Sequence, residues 1–127
     1  MLDILSKRYA RARLKGHRNF LFFELAVVKN PGAAFGLFKN NKKLLYSANI
    51  LSLILVIVYF LIITDTYIRQ LVLIMAAGAM GNTVDRIMHG HVTDIIRIRC
   101  SRMPYVNLAD ICILIPALLL IAYVVGG

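Results

Sequence analysis

The sequence predicts a small all-α multi-pass membrane protein, a single integral membrane domain over residues 1–127, and three observations carry that expectation. Hydrophobic residues make up 60% of the chain, more than the 45–50% of an ordinary soluble domain. Residues 44–63 contain no charge, and about 20 such residues cross roughly 30 Å of hydrocarbon. Ionisable residues crowd between two other apolar runs: Asp85, Arg86, Asp94, Arg97 and Arg99, with Asp110 at the mouth of the last run. Acids at a bilayer edge are costly unless paired or functional, so they are site candidates by default.

The N-terminal 18 residues hold six Lys/Arg and no apolar core of a signal peptide. Residues 8–19 are expected to form a short interfacial helix ending near Gly16. Residues 20–28, rich in β-branched and aromatic side chains, read as a strand. Asn30-Pro31-Gly32 is a turn, with proline presetting φ. Residues 33–38 return toward the membrane as an apolar segment, and 39–43 form a charged lead-in to the 44–63 span. A short connection at 64–70 makes the spans at roughly 44–63 and 68–88 antiparallel neighbours. Residues 90–105 are a polar passage, and the final span runs from about 108 to 125.

The formal net charge is +9, from fifteen Lys/Arg against six Asp/Glu, and ten of the positives fall within residues 7–43. Such a segment suits anionic lipid headgroups. A nucleic-acid patch is the alternative, but the nearby Phe20, Phe22 and Phe23 form one apolar run and are not interleaved with the basic residues as a stacking platform needs, so the membrane surface is the expected partner. Cys100 and Cys112 have no partner at metal-ligand spacing and support no disulfide. His17, His89 and His91 are read as structural or solvated. No metal and no cofactor are expected.

Asn82, Asp85 and Arg86 fall at i, i+3 and i+4, on one helical face. Asp85 and Arg86 are adjacent, so each is expected to pair elsewhere. Ala77, Gly78 and Gly81 permit close helix approach in lipid. Asn107 and Asp110 open the last span at i, i+3. If Asp94 and Asp110 meet, both cannot ionise cheaply, and the pair shares a proton. Such a pair can activate a water while its protonated member polarises a carbonyl, which is peptide hydrolysis without a metal. A polar staple between helices is the plainer reading of Asn82, and a helix cap that of Asn107 or Asp110.

Four motifs in order resemble those of the signal peptidase II family. They are Asp3 with Ser6-Lys7, then Asn30-Pro31-Gly32-Ala33-Ala34-Phe35. Gly78 to Arg86 with Val92-Thr93-Asp94 is the third, and Val106-Asn107-Leu108-Ala109-Asp110 the fourth, with Val where the family has Phe. The resemblance implies four transmembrane helices and a small extracytoplasmic β-cradle holding residues 20–38. It implies an aspartyl endopeptidase of the bacterial cytoplasmic (inner) membrane, active at the extracytoplasmic face. That enzyme cleaves prolipoproteins before a diacylglyceryl-modified cysteine. Asp94 and Asp110 would be catalytic; Asn30, Asn82, Arg86 and Asn107 would line the site, and Gly32 would admit the substrate backbone. Asp85, Asp3 and Lys7 would fix the helices around it. Membrane lipids and inhibitors of the globomycin type would be its other partners, and a monomer is expected.

The family places about a helix of apolar residues before the Asp3 position, where this sequence has two. Most of the first helix is therefore expected to be missing, and this form to be less stable than one extended upstream. Charge alone would put the acids in the cytoplasm, since only Arg69 lies in the 64–70 connection. The alternatives are a catalytically inactive lipoprotein-binding relative and a small multi-pass transporter, which would not need Asn30-Pro31-Gly32 or Asn107 beside its acids.

Overall fold

A computed structural model of the chain describes residues 1–32, 40–99 and 103–126. Four helices, α1 (Leu2–Arg13), α2 (Lys42–Ile62), α3 (Thr66–His89) and α4 (Leu108–Gly126), accompany three strands, β1 (Arg18–Phe20), β2 (Phe23–Asn30) and β3 (Val92–Ile98). Helices α2, α3 and α4 are long and apolar enough to cross a membrane.

Caps define where the spans start and stop. The Asn41 side chain accepts from the Leu44 N–H at 3.0 Å to open α2, and Asp65 accepts from Ile68 at 2.9 Å to open α3. Gly90, at φ +73°, closes α3 by donating to the Arg86 carbonyl at 2.8 Å. Helix α3 is the central element, packing on α2, on α4 and on α1. Its small residues make that possible. A Cβ at Gly78 would lie 2.6 Å from the Ala109 carbonyl oxygen of α4, and one at Gly81 would lie 2.8 Å from an Asp3 carboxylate oxygen of α1. Only glycine lets these backbones approach so closely in lipid.

The first helix differs from expectation. It spans Leu2–Arg13 and not 8–19, because its buried stripe is Asp3, Lys7 and Ala10, which dock on the bundle. Gly16 lies beyond it at φ +72°. The strand expected over 20–28 is two strands, reversed at Leu21-Phe22, and the passage at 90–105 contains β3. The expected apolar segment at 33–38 falls outside the described residues, as do Ala33-Ala34-Phe35 of the second motif and Cys100.

The sheet is antiparallel in the order β1-β2-β3. Its register shifts between Leu25 and Val28: Glu24 pairs with Arg97 before the shift and Val28 with Asp94 after it. The extra residue in β2 is a bulge. In a regular strand, residues an even number apart share a face. The bulge breaks that rule, so Glu24 sits with Arg97 on one face while Asn30 sits with Asp94 on the other.

Candidate active site

The site forms where α3, α4 and the sheet converge. Asp94, in the buried first half of β3, accepts two side-chain amides: Asn30 Nδ2 at 3.0 Å and Asn107 Nδ2 at 2.8 Å. Asp110, in the first turn of α4, accepts Asn82 Nδ2 at 2.8 Å and the Asn107 main-chain N–H at 3.0 Å. Asn107, just before α4, therefore touches both acids. The two carboxyl groups are brought together by three asparagines from β2, α3 and the α4 entry. Burial pushes the Asp94 carboxyl up to about 6. The charge of Asp110 adds to the rise, and the Asn30 and Asn107 amides oppose it.

A second layer holds Asn82. Lys7 is 1% exposed, and its Nζ donates to Asn82 Oδ1 at 2.8 Å. The same ammonium is 2.8 Å from Asp3 and 3.7 Å from Asp85. With its Oδ1 so engaged, Asn82 must turn its NH₂ group toward Asp110. Asp3 Oδ1 accepts the Ala109 N–H at 2.9 Å, which ties α1 to the first turn of α4. Asp85 points away from the acids. It accepts the Thr93 N–H at 2.7 Å and pairs with Arg11 and His89, each at 2.9 Å.

Arg86 faces the Asn30-Pro31-Gly32 turn. The turn closes on itself, Asn30 Oδ1 accepting from the Gly32 N–H at 3.0 Å. Arg86 donates to the Gly32 carbonyl at 3.3 Å and to Asn49 Oδ1 at 3.1 Å, and its buried Nε has no partner among the described residues. All ten residues singled out in the sequence thus fall in one connected region. Arg11 and Asn49 were missed, Thr93 was named only as part of a motif, and His89, read as structural or solvated, pairs with Asp85. Arg11 follows Asp3 and Lys7 at i+4 steps, and Asn49 interrupts a charge-free span; both were readable signals. Among the described residues no set of three His, Cys, Asp or Glu could hold a metal ion.

The family model of signal peptidase II matches residues 1–126. The chain belongs to the signal peptidase II family. The lipoprotein signal peptidase of Moorella thermoacetica is 34% identical over 94% of this chain and 82% of that protein. The one from Clostridium tetani is 31% identical over 98% of this chain and 86% of its own length. That of Dehalococcoides mccartyi is 36% identical, covering 84% of this chain and 69% of that protein. In fold, this signal peptidase II relative matches a solved bacterial membrane enzyme with a TM-score of 0.90 at 23% identity, over 98% of this chain and 81% of that one. A second solved bacterial membrane enzyme matches at 0.86, with 24% identity over 97% and 84%. Membership in signal peptidase II makes the chain a membrane protease of bacteria.

Proposed function

We propose that Asp94 and Asp110 are the catalytic carboxylates of an aspartic-type peptidase, and that Asn107 sets their geometry. The chain removes signal peptides from prolipoproteins. One observation carries the reading: a single residue, Asn107, donates to both acids, at 2.8 Å and 3.0 Å.

The chemistry follows from the pair. A water between the carboxyls gives one proton to the Asp110 carboxylate as its oxygen attacks the scissile carbonyl. Protonated Asp94 donates to the developing oxyanion. The tetrahedral intermediate collapses with breakage of the C–N bond, and the departing amine takes up a proton from the pair. Arg86, whose buried Nε has no partner among the described residues, and Gly32, whose carbonyl it holds, line the path of the extended peptide. Asn30 and Asn82 orient the acids, while Asp3, Lys7 and Asp85 fix the helices that carry them.

The acids lie beside the ends of α3 and α4, at the edge of the spans. A diacylglyceryl group on the substrate cysteine can stay in the bilayer while the bond before that cysteine reaches the pair. The edge in question is taken, from the family resemblance, as the extracytoplasmic face of the cytoplasmic membrane, with anionic lipids as neighbours. A monomer suffices, because both acids come from one chain. Inhibitors of the globomycin type would compete for the same site.

Cleavage of a diacylglyceryl-modified prolipoprotein in lipid, by this chain and by Asp94→Asn and Asp110→Asn, tests the reading. Loss of turnover in both variants, with substrate still bound, is the expected result. Undiminished turnover in either variant would remove that residue from the mechanism.

A further inference from the structure

The reversal between β1 and β2 is built from Phe20, Leu21, Phe22 and Phe23, and these side chains are 64%, 73%, 75% and 42% exposed. Turns are ordinarily made of Gly, Asn, Asp or Pro. Here Leu21 takes φ +51°, a left-handed conformation uncommon for a bulky residue. A strained turn that presents a row of apolar side chains signals a surface meant to be covered. Across the sheet, Phe23 pairs with Ile98, itself 47% exposed, so the patch continues onto β3.

Strand β3 fixes where this patch lies. It starts at Val92, three residues after α3 ends at His89. Ile96 bridges to Val106, two residues before α4 begins at Leu108. Val92 to Ile96 covers roughly 13 Å at the rise of an extended chain, and packed helices stand about 8–10 Å apart. The strand is thus tied near Val92 to the end of one span and at Ile96 to the start of its neighbour, which keeps it close to the membrane face. Ile98 and Phe23 lie two residues past Ile96, about 7 Å further along. Exposed Lys15, Arg18 and Arg99 flank the patch, and the Arg99 N–H donates to the Phe22 carbonyl at 2.8 Å. Apolar side chains ringed by cations match an anionic headgroup layer above acyl chains.

We infer that the β1–β2 turn inserts Leu21 and Phe22 into the membrane interface, so that the sheet carrying Asp94 is moored to the bilayer at its far end. The occupant of the patch is lipid. The chain contains no tryptophan, so Phe22→Trp supplies a unique fluorophore in the 127-residue chain. It is placed in phosphatidylcholine–phosphatidylglycerol vesicles with and without lipids brominated just below the headgroup. Expected are an emission blue-shifted from that of aqueous tryptophan, at least twofold quenching by the brominated lipid, and poor access for acrylamide. An unshifted emission open to acrylamide would overturn the inference. A blue-shifted emission indifferent to brominated lipid would overturn it too, since protein would then cover the patch. Leu21→Trp repeats the reading at the neighbouring position should Phe22→Trp fold poorly.

Discussion

Asn107 and Asp110 cap each other across the first turn of α4. The Asn107 N–H donates to Asp110 Oδ2 at 3.0 Å, and the Asp110 N–H donates to Asn107 Oδ1 at 3.0 Å. This is a capping box, and its acid is one of the proposed catalytic pair. Helix initiation and the reactive geometry are therefore one arrangement. Asn107→Ala removes the cap, which costs about 1 kcal/mol of stability, and it also frees Asp94 from one of its two amides. The expected outcome is a lower Tm together with a fall in kcat of about tenfold or more, one order of magnitude per 1.4 kcal/mol of lost transition-state stabilisation. A variant melting several degrees lower with unchanged kcat would show that Asn107 is a cap alone.

Lys7 neutralises a buried acid cluster. Lys7→Met leaves Asp3 and Asp85 without the ammonium that lies 2.8 Å and 3.7 Å from them. Breaking a buried pair by removing one partner costs about 3–5 kcal/mol. Thermal unfolding in a fixed detergent should show a large drop in Tm. Asp3→Asn combined with Lys7→Met should recover part of it, because one stranded charge is then gone.

The Asp94 carboxyl, pushed up to about 6, gives a pH dependence of definite sign. The folded protein holds this proton more tightly than an unfolded chain, where aspartate titrates near 3.9. Its contribution to stability is fully present below the unfolded value and is lost as pH rises through about 6. The same proton serves the oxyanion in the proposed mechanism, so kcat/KM of the free enzyme should decline as pH rises through about 6. A pH–rate profile flat from 5 to 8 would exclude Asp94 as the proton donor.

The spans were legible because lipid demands long apolar runs, charge-free at 44–63 and after Asp110 in 108–125, and both fall within two residues of α2 and α4. The polar cluster was legible because ionisable residues in such a context stand out. Strand β3 was not, since Val92–Ile98 is buried at one end and charged toward the other and follows no clean alternation. Its pairing is dictated by β2 and by the Ile96–Val106 bridge. The first helix was misplaced because its basic residues suggested an exposed surface segment. Lys7 is in fact buried among Asn82, Asp3 and Asp85, in keeping with the helix-fixing role that the family resemblance implied for it. The bulge in β2, which turns Asn30 toward Asp94, leaves no trace in local sequence.

On the face of the sheet opposite Asp94, Glu24 accepts Tyr105 Oη at 2.6 Å and Arg97 Nη2 at 2.6 Å, with the Arg97 guanidinium 4.7 Å from the Tyr105 ring centroid. Tyr105, Arg97 and His17 together hold the Glu24 carboxyl down at about 2. Tyr105 lies two residues before Asn107, so this cluster ties β2 and β3 to the segment that positions both acids. Tyr105→Phe keeps the ring under Arg97 but deletes the hydroxyl. Its expected effect is a several-fold lower kcat with KM within about twofold. Prolipoprotein turnover measured over a range of substrate concentrations checks this, and an unchanged kcat would show that the cluster does not reach the acids.

Gly78 is where the helix spacing can be tested directly. A Cβ there would sit 2.6 Å from the Ala109 carbonyl oxygen, 3.0 Å from Ile113 Cγ1 and 3.1 Å from Cys112 Cβ. The first contact is with backbone, which cannot rotate away. Gly78→Ala must push α3 and α4 apart, and overpacking of this kind costs about 1–3 kcal/mol. The displacement also acts on function, because Asn82, one turn further along α3, reaches Asp110 on α4 at 2.8 Å. Widening that hydrogen bond frees one oxygen of the acid from its amide. The variant is expected to melt several degrees lower and to lose activity by an order of magnitude. Gly90→Ala is the control: it meets open space, and its strain at φ +73° is confined to the α3 cap. Its Tm should fall while kcat is kept, and equal losses of kcat in the two variants would argue that helix spacing does not tune the pair.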